Sequence, residues 1–391
     1  RGETYERRNE LDEAVRDFRA AAALDPTAPR ALESVGDALF LLQRFDRAAD
    51  SYAAALRLDN RAAGVGYKLA LALYRAGQID RAVQAVDRAL RLDTQTAAAA
   101  YLLGLCLHET HRDEEAIRWL ERAVRLSPDL VLAREELADL YAAAGRHAEH
   151  LEQLRQIALR EPTAVGRQIA LGLAQARVGN EASAVATLGA ALHGAVDRTQ
   201  DQSSIYGALG TIWLERAQAS GDRVYLAKAI EALRQGAAGP MASSELLTAY
   251  GRALLLAGQI DLAERTLKEA SVRFPVAPST FDLYAAAAER QGHLDAARRA
   301  LIDDTALPHD DAKGASIARR IAAISAQLHD PQAAATWLAH ASALAPHDVH
   351  GLVELARAEL RVHNPAGARL AVARGLAEDP ANQELLALTV P

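Results

Sequence analysis

One cysteine, one methionine and 5% aromatic residues in 391 positions leave little room for several kinds of chemistry. Cys106, alone, can form no internal disulfide and no multi-thiolate metal site. Hydrophobic residues still make up 50% of the chain, so alanine and leucine must build the core, as in close-packed helices. No charge of one sign dominates: 44 Lys and Arg face 51 Asp and Glu, and both halves are slightly acidic. That excludes nucleic-acid binding through bulk positive charge. The longest apolar run, Ala97 to Leu107, is short of the ~18 residues of a membrane span, so no direct membrane insertion is expected. With Arg1 at the start and Met241 as the sole methionine, the chain reads as part of a longer one. The compartment stays open between bacterial cytoplasm and periplasm; the bacterial reading comes from 40 Arg against 4 Lys, a bias of GC-rich genomes.

What the chain does have is self-similarity, which decides the fold wherever it occurs. Gly36, Gly104, Gly172, Gly210 and Gly251 stand 68, 68, 38 and 41 residues apart, a 34-residue period with later additions. A second register holds Ala14, Ala48, Ala82, Ala116, Ala184, Ala229, Ala263, Ala297, Ala334 and Ala368, with His150 as the departure. Seven residues on, a third holds Ala21, Ala55, Ala89, Ala123, Ala191, Gly236, Ala270, Ala341 and Gly375, with Asp304 out of character. Large residues lie between, among them Phe18, Tyr52, Leu120, Leu188, Leu267 and Leu338. Pro26, Pro128, Pro162, Pro275, Pro346 and Pro380 close many units, because proline lacks an N–H and disfavours helix just before it.

Each period contains two stretches of helical periodicity, for example Ala31 to Leu42 and Arg47 to Arg57. Turns such as Arg75-Ala76-Gly77-Gln78 separate them. The small registers let two helices approach closely and let the next pair stack, since one pair cannot bury its apolar face alone. Ala116→Leu should therefore overpack a helix pair and cost ~1–3 kcal/mol.

These registers resemble the tetratricopeptide repeat over essentially the whole chain. The resemblance implies an all-α, right-handed superhelical solenoid of stacked antiparallel helix pairs. Residues 1–28 read as a truncated repeat, 29–198 as five repeats, 199–311 as three, and 312–391 as two plus the start of a further helix. The first repeat of the 199–311 group carries seven extra residues around 216–223, roughly two helical turns, so both its helices can lengthen. The course of the superhelix is expected to change near 197–226 and 303–316. At the C-terminal end Gln383 to Leu388 read as a first helix without its partner, so contact with further repeats, another domain or a second copy is expected there.

Catalytic and cofactor chemistry finds no support in the motifs. The pairs His108/His111, His147/His150 and His347/His350 have helical spacing, but HETH is not the zinc-protease HExxH and no cysteine assists. Gly64-Val65-Gly66 follows no strand and lacks the Lys-Ser/Thr of a phosphate loop. Cys106 sits among Leu103, Leu105 and Leu107 as a core residue. We expect no catalytic residues, no cofactor, no metal and no enzyme.

The resemblance instead implies a concave groove in which first helices hold a peptide or helix of a partner protein. The second, fifth, ninth and twelfth positions of each repeat most often face that groove. The candidate groove residues are Glu33, Asp37, Tyr67, Leu71, Tyr74, Tyr101, Leu105, His108, Glu135, Asp139, Arg252, Arg319 and Arg357. The Lys and Asn that grip chaperone carboxylates in one subgroup are absent at Glu33/Asp37, Tyr67/Leu71, Tyr101/Leu105 and Glu135/Asp139. A partner is expected to be basic and apolar against 29–164 and acidic against 244–382. The leading function is a non-catalytic protein-binding scaffold. The alternatives are a periplasmic spacer in an envelope or polysaccharide-export protein, and the recognition arm of an enzyme such as a glycosyltransferase.

Overall fold

The computed structural model describes residues 10–196, 198–239 and 241–388. They form 22 α-helices and no strand among the described residues, an all-α arrangement of stacked helix pairs. The chain divides into two compact units, Arg1–Asn180 and Glu181–Pro391.

The first unit is strongly regular. Its first helices, Pro29–Leu41, Ala63–Arg75, Ala97–Glu109, Val131–Ala143 and Val165–Arg177, have 13 residues each. The second helices, Phe45–Leu58, Ile79–Leu92, Asp113–Leu126 and His147–Arg160, have 14 each. Helix Leu11–Leu24 comes before them; residues 1–9 lie outside the described residues.

The small residues do the work that their period implies. A Cβ on Gly104 would lie 2.6 Å from Leu120 Cγ, and one on Gly36 would lie 2.5 Å from the Tyr52 ring. The large residue of the second helix thus fills the space that the glycine leaves in the first. Ala14, Ala48, Ala82 and Ala116 are all fully buried at the second register.

Within each pair the turn puts one residue in the left-handed region, whatever its side chain. Gly77, Gly145 and Gly179 have φ of 73°, 69° and 83°, while Gln43 and His111, at the equivalent position, have 57° and 58°. At both Gly77 and His111 the next residue donates its N–H to the carbonyl five back: Gln78 to Leu73 and Arg112 to Leu107, each at 2.9 Å. That bond closes the helix by the six-to-one pattern. Between the early repeats an aspartate makes the turn, which the emphasis on proline did not anticipate, whereas Ser127 and Glu161 stand at that position before Pro128 and Pro162. Asp59 accepts from Arg61 N–H at 3.0 Å, and Asp93 accepts from Gln95 N–H at 3.0 Å and from the Thr96 hydroxyl at 2.7 Å. These bonds favour the ionised form and hold the Asp93 carboxyl below the usual carboxylate range.

The second unit opens with helix Glu181–Gly194, of which Ala184 and Leu188 are buried. The sequence register draws one repeat over 165–198, whereas the limit between compact units falls inside that span, after Asn180. The seven-residue insertion goes chiefly into one helix, Thr199–Ser220, of 22 residues, and its partner Arg223–Ala237 has 15. Gly221, with φ 70°, ends the long helix, and Asp222 caps the next by accepting from Val224 N–H at 2.8 Å. Trp213 and Tyr225 stack across the pair at 5.7 Å.

Three further pairs follow: Ser244–Leu256 with Ile260–Ala270, Thr280–Arg290 with Leu294–Asp304, and Asp311–Gln327 with Pro331–Leu344. The last pair is Val349–Arg361 with Pro365–Glu378, and the short helix Gln383–Ala387 comes after it. Leu385 of that helix is fully buried, while Leu386 is 45% exposed. Residues 389–391, which follow the segment read as an unpartnered first helix, lie outside the described residues, as do Asp197 and Pro240 elsewhere.

Candidate functional site

In the first unit the spacing of 34 residues brings Tyr67 and Tyr74 of helix Ala63–Arg75 beside Tyr101 of helix Ala97–Glu109. All three are half-buried, packed on the core through their rings. Burial pushes the phenols of Tyr67 and Tyr74 up. Tyr101 is pushed up to about 12, by burial first and then by the nearby Glu136 carboxylate. The three therefore stay neutral at physiological pH and offer flat apolar faces with O–H donors. Leu71 and Leu105 lie half-buried on the same helices.

The acidic candidates divide into two sets. Glu33 and Asp37 share one cation: Lys68 Nζ lies 2.8 Å from Glu33 Oε1 and 2.8 Å from Asp37 Oδ2. Asp37 also accepts from the Tyr52 hydroxyl at 2.8 Å. One of the two negative charges of this pair is thus balanced within the fold, by Lys68 at the sixth position of its repeat, a residue that sequence reasoning missed. Glu135 is likewise engaged by Arg167, which also holds Glu161 at 2.7 Å.

The second set is uncompensated. Asp139 forms no ion pair among the described residues, and neither do Glu109 and Glu136, two carboxylates not singled out as groove residues in the sequence. Glu136 takes, two repeats on, the position that Lys68 holds in its own. Its carboxyl is pushed up by burial first and then by Asp139, with Glu135 and Glu109 adding to the effect and His108 opposing it. His108 itself turns its Nδ1 to Asp113 at 2.8 Å. A half-buried patch of three tyrosines thus borders carboxylates that lack a cation, an arrangement that favours a positive charge beside an apolar one.

The arginines expected to make the later repeats basic are largely engaged already. Arg252 donates to the Ser279 hydroxyl at 2.8 Å, Arg319 pairs with Asp348, and Arg357 pairs with Glu384 at 2.8 Å. Arg320, not singled out in the sequence, spans Glu289 at 2.7 Å and Asp282 at 2.6 Å. Arg252 and Arg319 thus reach the residue that opens the next first helix, Arg357 reaches helix Gln383–Ala387, and Arg320 reaches back to helix Thr280–Arg290. Around Arg319 and Arg357 the second unit also holds a cavity of about 910 Å³, on helices Asp311–Gln327, Pro331–Leu344 and Val349–Arg361.

Of the histidine pairs, His347 meets Glu378 at 2.9 Å, and the buried Nδ1 of His150 has no hydrogen-bond partner. Among the described residues, no three His, Cys, Asp or Glu gather as metal ligands, and no helix is long and apolar enough to cross a membrane.

Residues 1–63 and 67–131 match the sequence profile of the tetratricopeptide repeat family. Among solved structures, the chain is similar to the C-terminal part of a TPR repeat-containing protein from Cytophaga hutchinsonii. That likeness has 14% identity and a TM-score of 0.51, over 63% of this chain and 97% of the other. It is also similar to MamA from Desulfovibrio magneticus RS-1, with 23% identity and a TM-score of 0.40, over 42% of this chain and 92% of the other. A third likeness is YrrB, described as a TPR protein with an unusual peptide-binding site, with 23% identity and a TM-score of 0.40, over 46% and 93%. No curated protein matches the chain.

Proposed function

We propose that this tetratricopeptide repeat protein is a non-catalytic scaffold whose first unit binds a segment of a partner protein on its first helices. The segment is apolar and carries a positive charge. The observation that carries this reading is the patch of Tyr67, Tyr74 and Tyr101 beside the unpaired carboxylates of Glu109, Glu136 and Asp139. Tyrosine supplies large contact area at low entropic cost and is enriched among residues that dominate binding energy. The charges mainly set orientation and association rate, since exposed ion pairs add little affinity. The engaged pairs Glu33/Asp37 and Glu135 organise the surface and leave the ligand to the others.

Surface plasmon resonance against a partner found by affinity capture tests this reading. Tyr67→Ala with Tyr101→Ala should weaken binding about tenfold or more, through faster dissociation. Glu136→Gln with Asp139→Asn should instead slow association, and the effect should shrink as salt is raised. If both double variants leave both rates unchanged, the partner binds elsewhere.

A further inference from the structure

Between second helices Phe45–Leu58 and Ile79–Leu92 the first unit holds a cavity of about 230 Å³, which none of the candidate groove residues lines. Its floor is Leu69 and Leu73 of helix Ala63–Arg75, its walls include Leu56 and Ala85, and the exposed Asn60 and Arg88 stand at its mouth. Ala85 is the reason for the space. One period of 34 residues later its register holds Trp119, whose half-buried ring packs on the core. The chain thus fills this position itself in one repeat and leaves it open in the repeat before.

The residue that covers the ring recurs as well. Arg122, three residues after Trp119, holds its guanidinium 5.1 Å from the ring centroid and donates to the Thr94 carbonyl at 2.6 Å. In the second unit Trp337 takes the same register, and the ring of His340, three residues on, lies against it with centroids 5.7 Å apart. Arg88 and Asn60 occupy the registers of Arg122 and Thr94. The cover and its anchor are therefore present at the cavity, and the aromatic ring is not. Arg88 forms no ion pair among the described residues, and no carboxylate is among the residues that line the cavity. Arg81, at the other end, donates to Gln78, which in turn donates to Asp46 at 2.7 Å. The electron-rich face of an aromatic ring complements a guanidinium that has no anionic partner. The volume is below the ~300 Å³ at which small-molecule sites begin, which favours one side chain over a free ligand.

We propose that this cavity is a socket for a tryptophan side chain of a partner protein docked on the second helices, with Arg88 closing over the indole as Arg122 closes over Trp119. Tryptophan seated in a pocket is among the residues that dominate binding energy. The socket lies on other residues than the tyrosine patch, so either surface can fail alone.

The test uses the full chain with isotope-labelled leucine methyl groups, read by nuclear magnetic resonance, and N-acetyl-tryptophanamide as the probe. The probe should cause ring-current shifts at the Leu56, Leu69 and Leu73 methyls, with a Kd of about 1 mM, as suits a small ligand with one buried ring. Ala85→Trp installs the residue that the next repeat carries, so it should melt no lower than the wild type and abolish these shifts. Arg88→Ala, at an exposed position, should weaken the probe about threefold and keeps the test open if Ala85→Trp melts lower. N-acetyl-leucinamide should bind about tenfold more weakly. Tyr67→Ala with Tyr101→Ala should leave the shifts as they are, which separates the socket from the tyrosine patch; their loss in that variant would overturn the proposal. Absence of shifts at the three leucines, shifts that persist in a folded Ala85→Trp, or equal binding of the leucine amide would also overturn it. Indole-3-acetate bound about a hundredfold more tightly than the amide would overturn the protein side chain as occupant in favour of a free aromatic acid.

Discussion

His150 stands where Ala116 and Ala184 stand in neighbouring repeats, and its Nδ1 is buried without a hydrogen-bond partner. Asp304, at the register of Ala270 and Ala341, is fully buried with neither carboxylate oxygen hydrogen-bonded, although His309 Nε2 lies 3.4 Å from Oδ1. Both departures were visible in the sequence as breaks in a small-residue register, and both bury an unsatisfied polar atom, a costly arrangement. Burial pushes the Asp304 carboxyl up, so its penalty appears as pH rises above the ordinary carboxylate range and vanishes below it. Burial first, and then Arg177, push the His150 imidazole down, so its penalty appears as pH falls below the ordinary imidazole value near 6.5. Asp304→Ala should therefore stabilise the protein by about 1–3 kcal/mol at neutral pH, with the gain fading in acid. His150→Ala should show the opposite trend, gaining most in acid. Urea unfolding of each variant at several pH values between 4 and 8 checks both; parallel gains at all pH would contradict the assigned ionisation.

Helix pairs were legible because the contact that joins them is periodic. A Cβ on Gly251 would lie 2.4 Å from Leu267 Cγ, the same small-against-large meeting as Gly104 against Leu120. Gly251→Ala should cost about 1–3 kcal/mol by overpacking, whereas Gly189→Ala, on helix Glu181–Gly194 with open space around it, should gain about 0.5–1 kcal/mol from helix propensity. Thermal melts of the two variants should move in opposite directions. The ion pairs that tie repeats together were not legible. Lys68 reaches Glu33 and Asp37, and Arg320 reaches Asp282 and Glu289, across 31 to 38 positions of sequence. Long side chains at one register point to the previous repeat in one case and are absent in the next, so charge type alone foretold an acidic groove face where Lys68 had already met it. The left-handed turn residue was legible only where it is glycine. His329 and His363 adopt φ of 58° and 57° at the position of Gly258 and Gly292, because the packing of the two helices imposes the turn on whichever residue is there.

Across each unit, stability is carried by contacts between neighbours, so a local defect should stay local. Gly251→Val, read by amide hydrogen exchange, should strip protection from Ser244–Leu256 and Ile260–Ala270 and from the helices that touch them. Val349–Arg361 and Pro365–Glu378 should keep theirs; uniform loss throughout 181–391 would show that the unit melts as one block. The core of the first unit holds one more resource, the sole thiol of the chain. Cys106 is fully buried on helix Ala97–Glu109, and burial pushes its pKa up to about 12. A thiol-specific reagent can label it only while its repeat is open, so the labelling rate under native conditions is a clock for that single opening event. The protein thus arrives with a reporter already installed in the core of a repeat, and a partner that clamps the tyrosine face would announce itself by slowing that clock.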